Sequence, residues 1–202
     1  MNIYVETNFV LELVFQQEQA ASCEEILRFC ETGTVRLVIP AYSLAEPHEK
    51  LTRQANNRKN LQRLLDAERS QLVRTGSYAP RINSIEDIAS LLIQSNEEEK
   101  QRFTQYRDRM LRVAEIVPLT LAILTTAAAY EVPFDLKPQD ALVYASVINH
   151  LRQNQPANGC FLNKNTKDFD NPDIVDELNH YHCRMIPSFD HGYRFVQAQL
   201  RS

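Results

Sequence analysis

The sequence predicts an α/β protein built around a covered parallel sheet, and two observations carry that expectation. Short apolar runs of strand length ("NIYV", "VRLVIP", "IVPL", "GCFL", "CRMIP") recur along the chain. Between them lie longer stretches whose apolar residues fall at helical spacing. Strands separated by helices are joined by crossovers, which makes the strands parallel and lays helices over the sheet. The length, 202 residues, and the apolar share, 44%, suffice for one good-sized core, so a single domain is expected over residues 1–202.

"NIYV" is the first strand. Helical spacing follows in "NFVLELVF" and in "QAASCEEILRFCETG", where Gly33 suits the position just past a helix end. "VRLVIP" is a second strand, closed by Pro40. A long polar helical stretch runs from "SLAEPHEKL" to about Arg74, with Gly76 as its stop, and "SYAPRIN" is a loop. "SIEDIASLLIQS" and "EEEKQRFTQYRDRMLRVAE" read as two separate helices. "IVPL" is a strand, "TLAILTTAAAYEV" a helix, and "KPQDALVYASVINHLRQ" another helix. Its Pro138 lies in the first turn, where a missing N–H costs little. "GCFL" and "CRMIP" are the remaining strands.

Composition removes several classes of function. No stretch approaches 18 consecutive apolar residues, and "MNIYVE" has neither a basic region nor an apolar core of a signal peptide, so a cytoplasmic location is expected. Cys23, Cys30, Cys160 and Cys183 form no CxxC pair and read as reduced, buried thiols. His180 and His182 share a face only in an extended segment, with no third ligand beside them. The four glycines, Gly33, Gly76, Gly159 and Gly192, are scattered, so no glycine-rich phosphate loop exists.

Acidic residues fall where such a sheet makes its sites, outside the carboxyl ends of the strands. Glu6 ends the first strand. Glu46 follows the second by a few residues, and Asp140 stands in the first turn of "PQDALVYAS". Asn165 and Asp168 lie in "NKNTKDFD", on the loop leaving "GCFL". Four segments thus deliver oxygen-rich side chains to one edge, and the mutual repulsion of such a group is relieved by a hard cation, Mg²⁺ or Mn²⁺. Each acid also has a purely structural reading. Ser43 and Glu46 fit a capping box, Asp140 suits a helix dipole, and Asn165 and Asp168 are common turn residues.

The order "IYVETNFVLEL", "SLAE", "LKPQDALVYAS" and "FLNKNTKDF" resembles the PIN domain family of metal-dependent ribonucleases. That family shows an acid-Thr-Asn opening, a Ser-x-x-Glu, a Pro-x-Asp-Ala helix start and an Asn-x-x-Asp-Phe loop. The likeness spans roughly residues 2–49 and 115–187, with "PQDALVYAS" and "NKNTKDF" its most specific pieces. It implies a three-layer α/β/α fold, one or two Mg²⁺ or Mn²⁺ ions, and hydrolysis of RNA. By position, the acidic quartet is Glu6, Glu46, Asp140 and either Asn165 or Asp168. These are the expected catalytic residues, with Glu6, Glu46, Asp140 and Asp168 as metal ligands. A toxin-like role with an antitoxin-like protein partner belongs to the same implication.

Two positions depart from the family. Glu6 stands where Asp is usual, and Asn163 where Thr or Ser is usual. Glutamate reaches about 1.5 Å further than aspartate, and Mg²⁺ takes ligands at about 2.0–2.1 Å in a near-octahedral set. The alternative reading is therefore a PIN-like module that binds RNA or protein with impaired catalysis.

Relative to compact members, the chain carries a helical insertion at about residues 50–114. Residues 50–113 hold thirteen Lys and Arg against eight acids, a net +5, while the whole chain is −4. A basic arm beside an acidic, metal-loaded pocket suits RNA, with Arg58, Lys59 and Arg63 as phosphate-binding candidates. The alternative is packing. Leu61, Leu64, Leu65 and Leu72 form an apolar stripe at helical spacing, which suits a neighbour such as a homodimer partner.

Overall fold

The computed structural model describes residues 1–78, 83–164, 169 and 171–201. In chain order the elements are β1 (Asn2–Val5), α1 (Thr7–Phe15), α2 (Ala20–Glu31), β2 (Arg36–Pro40), α3 (Ala41–Leu72) and α4 (Asn83–Val113). There follow β3 (Glu115–Val117), α5 (Leu121–Glu131), α6 (Pro138–Asn154), β4 (Gly159–Leu162), α7 (Pro172–His180), β5 (Cys183–Ile186) and α8 (Phe189–Arg201).

The five strands form one sheet in the order β3-β2-β1-β4-β5, and every pairing is parallel. Side chains alternate across a strand, so each strand feeds two cores. Ile3, Val5, Leu37, Ile39, Cys160 and Leu162 face α1, α2, the second half of α4 and α8. Tyr4, Val38 and Phe161 face α5, α6 and α7 on the opposite side. The architecture is α/β/α with a central parallel sheet, as the sequence predicts. All four cysteines are free and buried within these cores. No helix among the described residues is long and apolar enough to cross a membrane.

The strand order places the site. The chain steps outward from β1 to β2 and β3, then crosses back to put β4 on the other flank of β1. Crossovers on either side of β1 therefore diverge at its carboxyl end, which leaves a crevice there. Glu6 is the residue that follows β1 at this point.

Four features differ from the sequence reading. The long polar helix begins at Ala41, straight out of β2, so Ser43 lies inside the first turn and not at a cap. Residues 83–113 form one helix where two were expected. Ser95 and Asn96, which look like a break, stay helical: Ser95 Oγ donates within the helix to the Leu92 carbonyl, and Asn96 Oδ1 accepts from Arg58 on α3. Arg58 also forms a two-pronged ion pair with buried Glu99 at 2.7 and 2.9 Å, holding α3 to α4. Finally, α7 and α8 add two helices to the elements read from sequence. Asn171 caps α7 by accepting from the Asp173 N–H, with Pro172 at its first position. In α8, Gly192 lies against the sheet so closely that a Cβ there would stand 2.7 Å from Leu162 Cδ2.

Candidate active site

Glu6 has extended backbone geometry and caps α1, its Oε2 accepting from the Asn8 N–H at 2.8 Å. Its other oxygen, Oε1, accepts from the Lys164 N–H just beyond β4, at 3.3 Å. The carboxylate thus bridges both sides of the crevice. An aspartate, one methylene shorter, caps helices in the usual way but has less reach toward Lys164. The structural reading of Glu6 as a cap is met by these contacts: two lone pairs are used by backbone donors, and two of the roughly four on a carboxylate are left.

Lys164 is itself fixed. Its ammonium donates to Glu12 Oε1, and Glu12, on the buried face of α1, also accepts from the Gln19 N–H at 2.9 Å. Glu18 Oε2 lies 3.4 Å from the same ammonium. These pairs tie the chain leaving β4 to α1.

Glu46 sits in the second turn of α3, half-buried, and accepts from Thr7 Oγ1 at 2.5 Å. A capping role for Glu46 is excluded by the earlier helix start; its side chain turns instead toward the beginning of α1. Pro47 follows directly inside the helix. Asp140 occupies the first turn of α6, where Pro138 starts the helix and the dipole favours an acid.

Glu6, Glu46 and Asp140 line one cleft of about 390 Å³, together with Thr7, Asn8, Tyr42 and Glu49. Electrostatics report the same convergence. Burial pushes the Glu6 carboxyl up to about 7, and the charge of Asp140 adds to the rise, while the Asn8 and Lys164 N–H groups partly offset it. Burial also raises the Tyr42 phenol, with Glu46, Glu49 and Asp140 contributing. Glu6 is 6% exposed, so its charged form has little water to stabilise it.

Among the described residues, no three or more His, Cys, Asp or Glu stand together as a ready-made metal cage. The donors that do line the cleft are carboxylate, hydroxyl and amide oxygens, with no His or Cys. That is the ligand chemistry of Mg²⁺ and Mn²⁺, ions that keep several waters and take one or two carboxylates directly. Asn165 and Asp168, the remaining predicted residues, lie outside the described residues.

The predicted phosphate-binding residues are placed differently from the acids. Arg58 is engaged by Glu99 and Asn96, with its side chain 18% exposed. Its guanidinium fastens the two arm helices and is not offered to a ligand. Lys59 and Arg63 are exposed on α3. They lie 13 and 17 residues past Glu46, or about 20 and 26 Å along the helix. On α4, Arg102 donates to the Val14 carbonyl, and Arg109 forks between Glu24 and Glu31 on α2. Part of the basic surplus is therefore neutralised internally. Cations do reach the cleft, but they are Lys50, Arg53 and Lys137. The signal for the first two was present in the sequence: residues 46, 50 and 53 share one helical face.

The parallel α/β/α fold thus gathers acids at its carboxyl edge from the residue after β1, from α3 and from α6. The chain belongs to the PIN domain family, whose members are generally nucleases; the profile of that family matches residues 3–169. No curated protein matches the chain. No solved structure matches it either.

Proposed function

We propose that this protein is a Mg²⁺- or Mn²⁺-dependent ribonuclease that hydrolyses RNA phosphodiester bonds with water as the nucleophile. The observation that carries the reading is the convergence of Glu6, Glu46 and Asp140, from three separate elements, on one cleft at the switch point beside β1. The lining residues contain no Ser, His or Cys, and the Thr7 hydroxyl among them is turned to Glu46, where it holds that carboxylate; water is the nucleophile this reading assigns.

Glu6, Glu46 and Asp140 would hold the cation directly or through water, with Asn165 or Asp168 as further donors. When bound, such an ion would lower the pKa of a coordinated water and offset charge on the phosphate. The chain's own residues orient the donors. The Asn8 and Lys164 N–H groups fix the Glu6 carboxylate, and Thr7 Oγ1 fixes one oxygen of Glu46. Burial raises Glu6, and the charge of Asp140 adds to the rise; a cation in the cleft would offset both by favouring the charged form.

The test is cleavage of labelled single-stranded RNA in Mn²⁺ and in EDTA, by wild type, Glu46→Gln and Asp140→Asn. Cleavage by wild type in Mn²⁺ alone is expected, with each variant slower by at least the ~10–100-fold typical of residues that support a metal. Equal rates in Asp140→Asn and wild type would remove Asp140 from the site. Glu6 in place of the usual Asp favours a second reading, an RNA- or protein-binding module. RNA binding without cleavage in any divalent metal would select it.

A further inference from the structure

The nuclease reading leaves open which residues take the phosphates on either side of the scissile bond. Two exclusions narrow the choice. Arg58 is engaged by Glu99, and Arg102 and Arg109 are bound to groups on α1 and α2. Lys59 and Arg63 stand off the cleft along α3. At 100° per residue, Lys59 points about 140° away from Glu46 around the helix and Arg63 about 100°.

The opposite holds for Lys50 and Arg53. They follow Glu46 at four and seven residues, so each lies within about 40° of its direction, one and two turns further on. Both line the acidic cleft with Lys137, which precedes α6 on the side of Asp140. Among the described residues neither Lys50 nor Arg53 is paired with a carboxylate. Lys50 rests its ammonium 5.9 Å from the centre of the Phe15 ring, which keeps it at the cleft's margin. Further along the same face of α3 come Asn57 and Asn60, at eleven and fourteen residues from Glu46.

Charge arithmetic supports the same placement. The lining holds four carboxyl side chains (Glu6, Glu46, Glu49, Asp140) and three cationic ones (Lys50, Arg53, Lys137). One divalent ion turns that balance from negative to positive, so a polyanion is drawn in at the end of the cleft where the cations stand.

We infer that Lys50 and Arg53, with Lys137 across the cleft, bind the phosphates next to the scissile one, and that the single strand runs from there along the Asn57–Asn60 face of α3. The inference rests on the nuclease reading. It assigns nucleic-acid contact to the start of the arm, while the pairs at Arg58, Arg102 and Arg109 give the rest of the arm its rigidity.

Fluorescence anisotropy of a labelled single-stranded RNA, titrated with salt in Ca²⁺ and again in EDTA, tests it. Lys50→Gln/Arg53→Gln should weaken binding at least tenfold and lower the slope of log affinity against log salt by about 1.4, or ~0.7 for each phosphate contact on a single strand. Lys59→Gln/Arg63→Gln should leave that slope unchanged. Lys50→Arg/Arg53→Lys, which keeps both charges, should retain the wild-type slope and controls for loss of fold. A slope lowered by the 59/63 variant and untouched by the 50/53 variant would overturn the inference and leave the nuclease reading standing. Wild type that binds no RNA in either buffer and cuts none in Mn²⁺ would overturn both.

Discussion

Glu6 offers the sharpest physical test, because its burial makes stability depend on pH in an unusual direction. Its carboxyl is pushed up to about 7 in the folded protein by burial, against about 4.5 when exposed. Between those values the folded chain keeps a proton that the unfolded chain has lost, so stability falls as pH rises. Below pH 4.5 both states are protonated and that stability is fully present; it is lost as pH rises through about 7. One pKa unit corresponds to about 1.4 kcal/mol, so the loss between pH 5 and 7.5 is on the order of 2 kcal/mol. For a chain of this size that is roughly 4–8 °C in melting temperature. Glu6→Gln keeps an acceptor for the Asn8 N–H but cannot ionise. In EDTA it should melt below or level with wild type at pH 5 and above it at pH 7.5. Mn²⁺ should then raise the melting temperature of wild type and not of the variant, because the cation rewards the charged form. The assay is thermal denaturation across pH 5–7.5 with and without metal, reported as the difference between the two proteins. Parallel curves in EDTA would refute the claim that burial makes the charged form of Glu6 costly.

Further outcomes follow from features away from the acids. Lys164→Met leaves Glu12 buried without its cation and should destabilise by about 3 kcal/mol, whereas adding Glu12→Gln should recover much of that loss; additive losses in the double variant, measured by urea denaturation, would deny the pairing. Gly192→Ala forces a Cβ to 2.7 Å from Leu162 Cδ2, and should cost about 1–3 kcal/mol despite alanine's better helix propensity; a more stable variant would show that Leu162 yields freely. Arg58→Ala should lower thermal stability while leaving the salt dependence of RNA binding unchanged, since its partners are Glu99 and Asn96. A fall in that dependence would return Arg58 to the nucleic-acid surface.

The layers of the fold and three of the acids were legible because they rest on local rules. Apolar strand runs announce themselves, and Glu6, Glu46 and Asp140 follow strands or open helices at countable positions. Less was legible wherever a long-range partner decided the outcome. Ser95 and Asn96 resemble a helix break until Arg58, 38 residues away on α3, is seen to bond Asn96. The net charge of the insertion says nothing about which guanidinium is already bonded to Glu24, Glu31 or Glu99. Two signals were present and not used: Asn171-Pro172 as a cap and first turn, and Phe189, Tyr193 and Val196 as the inward stripe of α8. The raised carboxyl of Glu6 lies beyond any sequence rule, because it depends on how completely α1, α6 and Lys164 close around it.

Pro47 has a mechanical consequence. It has no N–H to return to the Ser43 carbonyl, so α3 is softest to bending at that turn. From Pro47 to Leu72 the helix is about 38 Å long. A sideways displacement of ~5 Å at the far end is therefore a rotation of roughly 8° about this turn. Glu46, one residue before the pivot and hydrogen-bonded to Thr7, stays with the sheet. Lys50 and Arg53, about 4.5 and 9 Å beyond the pivot, swing by roughly 0.6 and 1.2 Å. The arm is a lever whose short end carries Glu49, Lys50 and Arg53, while Glu6, Glu46, Asp140 and Lys137 remain on the fixed block. A load on the hairpin thus changes the spacing between Lys50, Arg53 and the acids Glu6, Glu46 and Asp140 without disturbing those acids themselves.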